Sequence, residues 1–113
     1  MIEVFIVNSD GSSEFREIEG GLESVQQLVG GYVQQIGDTS TDLIALMNED
    51  GKLTGLPVNA NADKVVHHAG AFGLDPNDRI VGNVVFCAMA DGNWQSISSI
   101  GREKVQKLVS ASE

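Results

Sequence analysis

The sequence predicts an α+β fold: a mainly antiparallel sheet of five to six strands with two to three short helices packed on it. Three observations carry that expectation. Short apolar, β-branched runs are joined by turns too tight for a parallel crossover. Three other stretches repeat apolar residues at helical spacing. No linker, low-complexity segment or internal repeat interrupts the 113 residues, which read as one domain, 1–113.

The elements follow in chain order. Ile2 to Asn8 holds Val4, Phe5, Ile6 and Val7 in a row, which suits a strand covered on both faces. The polar cluster Asn8 to Ser13 predicts a hairpin. Glu14 to Glu19 is the returning strand, with Phe15, Glu17 and Glu19 on one face and Arg16 and Ile18 on the other; its charge predicts an edge position. Leu22, Val25, Leu28 and Val29 form a helical stripe that Gly30 or Gly31 closes. Tyr32 to Ile36 and Leu43 to Asn48 are the next two strands. Asp50-Gly51 is then a two-residue hairpin signal, and Leu53 to Pro57 a short extended piece.

Asn59 or Asn61 caps a second helix whose stripe is Ala62, Val65, Val66 and Ala69, ending at Gly70. Ile80 to Ala90 is the most apolar run and predicts a central strand, with Gly82 marking a bulge or a close backbone approach. Asp91-Gly92-Asn93 turns the chain into a short strand from Trp94 to Ile97. Ser99 then caps a last helix with Val105, Leu108 and Val109 inward, and Glu103 and Lys107 paired on its outer face.

Charge narrows the partners. The chain carries 16 acids against 7 bases. Met1 to Pro57 holds ten of those acids but only Arg16 and Lys52 as bases. Binding through nucleic-acid phosphates needs a basic footprint, so neither nucleic acid nor an anionic membrane is the expected partner. A cationic protein surface fits. One cysteine, Cys87, cannot form an intrachain disulfide. The start Met-Ile-Glu-Val shows no charged leader and no apolar run is long enough to span a bilayer; the expectation is a cytosolic protein.

Chemical motifs are few. Adjacent His67 and His68 point about 100° apart on a helix, so they do not share one ion, and no metal or cofactor is expected. The reading is a surface His67, a half-buried His68 and an inert core Cys87. Ser96, Ser98 and Ser99 lack a Gly-x-Ser-x-Gly elbow and read as turn and cap residues. Gly30-Gly31, Gly51-Lys52 and Gly70 to Gly73 do not make a phosphate loop. The carboxylates Glu14, Glu17, Glu19 and Glu23 read as a solvated acidic surface. Carboxylates at i and i+2 of a strand lie ~6–7 Å apart on one side, a spacing that can imitate a nucleic-acid backbone in a basic groove.

Several runs together resemble a known family. They are Leu28-Val29-Gly30-Gly31-Tyr32-Val33, then Leu43 to Asn48, then Asn48-Glu49-Asp50-Gly51-Lys52-Leu53 followed by Gly55-Leu56-Pro57 and Asn59, and last Ile80-Val81-Gly82-Asn83-Val84-Val85. The chain from about Glu14 to Trp94 is similar to the domain-of-unknown-function family 3846. That resemblance implies a small intracellular protein carried by bacteriophages, plasmids and other mobile elements of bacteria, without an assigned activity. Asn83 stands where the family often carries an acid, and the tail after Trp94 departs from the pattern. The polar motif residues Tyr32, Asn48, Lys52 and Asn59 are the candidate binding residues, with turn and cap roles for Asn48 and Asn59 as the alternative.

The expected function is a non-enzymatic binding protein that meets a host protein through its acidic surface, for example an inhibitor of a DNA-directed defence system. The competing expectation is a small-ligand-binding or sequestering module, enzymatic or not, with a pocket near Tyr32, Lys52 and Asn59.

Overall fold

The computed structural model describes residues 1–110; residues 111–113 of the expected domain lie outside the described residues. Its elements are β1 (Ile2–Val7), β2 (Ser13–Ile18), α1 (Leu22–Val29), β3 (Val33–Gly37), β4 (Leu43–Asn48), α2 (Ala60–His67), β5 (Val84–Ala90), β6 (Asn93–Gln95) and α3 (Ser99–Ser110). All six strands join one antiparallel sheet in the order β2-β1-β5-β4-β3, and β6 pairs with β5 beyond the end of β1. The α+β expectation therefore describes the molecule. Among the described residues no helix is long and apolar enough to cross a membrane.

Strand alternation divides the core into two. Phe5, Val7, Leu43, Ala45, Met47, Val84 and Phe86 point to the face covered by α2 and α3. Val4, Ile6, Ile44, Leu46, Val85 and Cys87 point to the face covered by α1. Each contiguous apolar run is thus buried on both sides, as β1, β4 and β5 require. The free edges of the five-strand path are β2 and β3; the three-residue β6 pairs with β5 alone.

Two Asp-Gly pairs meet different fates. Asp91 and Gly92 both adopt positive φ and close the tight β5–β6 hairpin, which fits a primed two-residue turn. Asp50-Gly51 makes no hairpin. Neither residue has positive φ, and residues 49–55 form successive turns closed by Thr54 N–H to Asp50 O (3.0 Å) and Leu56 N–H to Gly51 O (2.9 Å). The run after Gly51 does not return along β4: Leu53 is exposed, Leu56 folds back against Gly51, and Pro57 O accepts from Gly82 N–H instead. Leu53 to Pro57 is accordingly not a strand.

Three further boundaries move. The expected strand Ile80 to Ala90 starts at Val84, because Gly82 at φ +74° breaks the extended run. Its ideal Cβ would stand 2.8 Å from Leu56 Cδ1, so the close approach is real. The second helix ends at His67 rather than Gly70, and Ala69 at φ 53° leaves the helical stripe and is exposed. Phe72 joins the core cluster beyond that break. Finally, Ser98 rather than Ser99 caps α3: its Oγ accepts from Gly101 N–H at 3.2 Å and its C=O accepts from Arg102 N–H.

Candidate functional site

A cleft of about 90 Å³ opens beside the free edge strand β3. Its floor is Ile36 of β3, Met47 of β4, and Leu74, Ile80 and Val81 of the loop before β5. Its rim is polar: Gln34, Asn48, Glu49, Lys52, Asp78 and Arg79. The floor is apolar because residues 34, 36, 45 and 47 share the α2-side face of the sheet through the β3–β4 register.

The rim cations are already engaged. Lys52 forms an ion pair with Asp78. Arg79 donates to Asp63 Oδ2 at 2.8 Å, while Asp63 Oδ1 accepts from Ile80 N–H at 3.0 Å. His67 donates through Nε2 to the Asp78 carbonyl at 2.5 Å, and the same nitrogen lies 3.4 Å from Asp63 Oδ1. This set fastens the loop to α2. His67 is therefore half-buried and His68 exposed, the reverse of the expectation. Helix α2 stops at His67, and His68 takes extended backbone angles that turn its ring out.

The four candidate polar residues separate. Asn48 and Lys52 line the cleft; Tyr32 and Asn59 do not. Tyr32 is 68% exposed, and its carbonyl accepts from Glu49 N–H at 2.8 Å. Asn48 ties α1 to the following turn, donating to Val29 O at 3.2 Å and accepting from Asp50 N–H at 2.8 Å. Asn59 is 1% exposed and fully used: Oδ1 caps α2 by accepting from Ala62 N–H, and Nδ2 donates to Val7 O and Gly82 O. A buried side chain with every polar group satisfied is a brace. Of the four, Lys52 and Tyr32 alone present substantial exposed surface.

At the opposite edge, Glu14, Glu17, Glu19 and Glu23 are all exposed, on β2, just after it and at the start of α1. They do not share one face. Glu14 lies on the Arg16 side and pairs with it, whereas Glu17 faces the Phe15 side opposite Glu3. Arg102 of α3 covers Phe15 at 4.1 Å and pairs with Glu3. Among the described residues Glu17, Glu19 and Glu23 have no ion-pair partner.

Among the described residues no group of three His, Cys, Asp or Glu could hold a metal ion. Cys87 lies inside the sheet, where burial pushes its thiol up to about 12, so it carries no thiolate at neutral pH. Ser96 Oγ accepts from Glu3 N–H, and Ser98 donates to Asp42.

The family model described as Domain of unknown function (DUF3846) matches residues 2–110. The chain belongs to this family. The match takes in β1 and α3, so it reaches beyond the Glu14 to Trp94 span of the resembling motifs. No curated protein and no solved structure matches the chain.

In this DUF3846 member the motif residues interlock. An ideal Cβ on Gly31 would lie 2.9 Å from Asn48 Nδ2, and one on Gly51 2.9 Å from Val81 Cγ2. Leu56 packs against both Gly51 and Gly82, and Asn59 binds the Gly82 carbonyl. Loops separated by up to thirty residues of sequence thus close on one another beside the cleft.

Two buried carboxylates were not singled out by their sequence. Asp63 and His67 stand at i and i+4 of α2, a spacing legible in advance. Asp38, after β3, accepts from Ser40 N–H and Oγ and pairs with Lys104 of α3. Burial alone would raise this carboxyl, but Lys104 and Ser40 outweigh it and hold it at about 2. Nothing local signals a pair 66 residues apart.

Proposed function

We propose that this DUF3846 member is a non-catalytic binding protein that meets a cationic surface of a host protein through its acidic β2 edge. One observation carries the reading: Glu17, Glu19 and Glu23 are exposed with no ion-pair partner among the described residues, in a chain of net charge −9. Such an uncompensated patch raises the encounter rate with a basic partner. The phage and mobile-element setting that the motifs suggest fits a cytoplasmic protein of this kind, acting for instance on a DNA-directed defence enzyme whose groove is basic.

At this cleft the small-ligand reading is weaker on size. Ligand pockets hold ~300 Å³ or more, whereas the cleft holds about 90 Å³ and its two cations are bound to Asp78 and Asp63.

Native mass spectrometry of the protein recovered from bacterial lysate tests the proposal. The expected result is a protein complex that dissociates at high salt and is absent for the combined variant Glu14→Gln, Glu17→Gln, Glu19→Gln and Glu23→Gln. A complex indifferent to both changes overturns the acidic-edge reading. A retained small molecule would favour the cleft.

A further inference from the structure

The free edge of β3 is open to another strand. Tyr32 O accepts from Glu49 N–H and Asp38 N–H donates to Leu43 O, so backbone groups of even-numbered residues face β4. By the alternation of an antiparallel ladder, the N–H and C=O groups of Val33, Gln35 and Gly37 face outward. Among the described residues no hydrogen bond reaches those six groups. Native sheets guard such edges with charge, proline or a bulge. The β2 edge has that protection in Glu14, Arg16 and Glu17; β3, Val33-Gln34-Gln35-Ile36-Gly37, has no charged residue and no proline.

We propose that β3 receives an extended segment of a partner protein as a seventh strand, and that this segment carries an aliphatic residue and a lysine or arginine two positions apart. This surface lies at the other edge of the sheet from the β2 acids and does not depend on them. Strand addition draws affinity from main-chain bonds and specificity from pockets for alternate side chains. The cleft supplies such a pocket, since Gln34 and Ile36 line it from β3 itself. At about 90 Å³ it has room for one small aliphatic side chain over Ile36, Met47 and Leu74.

The charge preference comes from the same rim. Lys52 and Arg79 are neutralised by Asp78 and Asp63, whereas Glu49 is exposed with no ion-pair partner among the described residues. Residue 49 continues the alternation of Leu43, Ala45 and Met47 and lines the cleft. Same-face residues of an added strand are ~6–7 Å apart, which places a cation near Glu49 when the aliphatic group fills the floor. A second copy of this chain is the poorer occupant. Each copy carries net charge −9, and antiparallel β3 pairing would bring Glu49 of one copy towards the exposed Asp42 at the β3–β4 turn of the other.

The test is amide hydrogen exchange of the full chain with the capped peptide Thr-Val-Thr-Lys-Thr-Val-Thr. Binding should protect the amides of Val33, Gln35 and Gly37. Exchanging the peptide lysine for glutamate should weaken binding about tenfold. Gln35→Pro removes an outward donor and should abolish protection; Gln35→Ala keeps that donor and should retain it. The four-glutamine β2 variant should still bind. If Gln35→Pro does not fold, Glu49→Lys decides, because it should reverse the preference towards the glutamate peptide. Protection at β2 instead, no protection at millimolar peptide, or equal binding of both peptides overturns the proposal. So does concentration-dependent protection of β3 without peptide together with a doubled mass, which would assign the edge to a second copy.

Discussion

The two free edges of this sheet solve the same problem in opposite ways. β2 surrounds its exposed backbone with charge and leaves its acids mostly uncompensated, so it attracts at long range and repels another acidic chain. β3 carries no charge but is fixed at both ends. Asn48 and the Tyr32–Glu49 bond hold its start, and the Asp38–Lys104 pair holds its turn into β4. An edge that must keep its shape to meet another strand needs such supports; an edge that acts through its field does not. Electrostatic steering tolerates loose geometry, whereas main-chain hydrogen bonding does not.

That contrast is open to attack, most strongly at Lys104. Lys104→Ala leaves the Asp38 carboxylate buried without its cation and should cost about 3 kcal/mol in chemical denaturation. Asp38 titrates at about 2 in the folded protein against an ordinary 3.8. Its lowered value adds stability that is complete above about pH 4 and is lost as pH falls through about 2. Without Lys104, burial lifts that carboxyl, and acid unfolding followed by circular dichroism should begin at higher pH. Asn59→Ala should cost about 2 kcal/mol, since it removes the α2 cap and strands two buried carbonyls; equilibrium unfolding in urea measures it. Gly82→Ala must hold a left-handed backbone and displace Leu56, a loss of about 1 kcal/mol, visible as a lower melting temperature. At the far edge, the four-glutamine variant should change stability by less than about 0.5 kcal/mol while flattening the salt dependence of partner binding. A large stability loss there, or none at Lys104, would erase the distinction between the edges.

The contiguous runs Val4 to Val7, Leu43 to Met47 and Val84 to Ala88 were legible because a strand buried on both faces leaves no other composition open to it. The charged β2 edge was legible for the converse reason. Asp50-Gly51 misled because a turn dipeptide makes a hairpin only when the strands on its two sides pair with each other, and the run behind it does not pair with β4. Asp91-Gly92 had Met89 and Trp94 to bring together, and did. The end of α2 was displaced because Ala69 fits the helical period yet sits past the break at His68. The cleft was half legible. Asn48 and Lys52 belong to one motif, but its floor and the Asp63 and Asp38 anchors join residues far apart in sequence, which periodicity does not report.

Cys87 gives the molecule its own clock. The thiol sits at the centre of β5, with β4 on one side and α1 across its face. An alkylating reagent reaches it only when α1 lifts from the sheet or the sheet itself comes apart, so the labelling rate of the unaltered protein reads the frequency of that opening under native conditions, without denaturant.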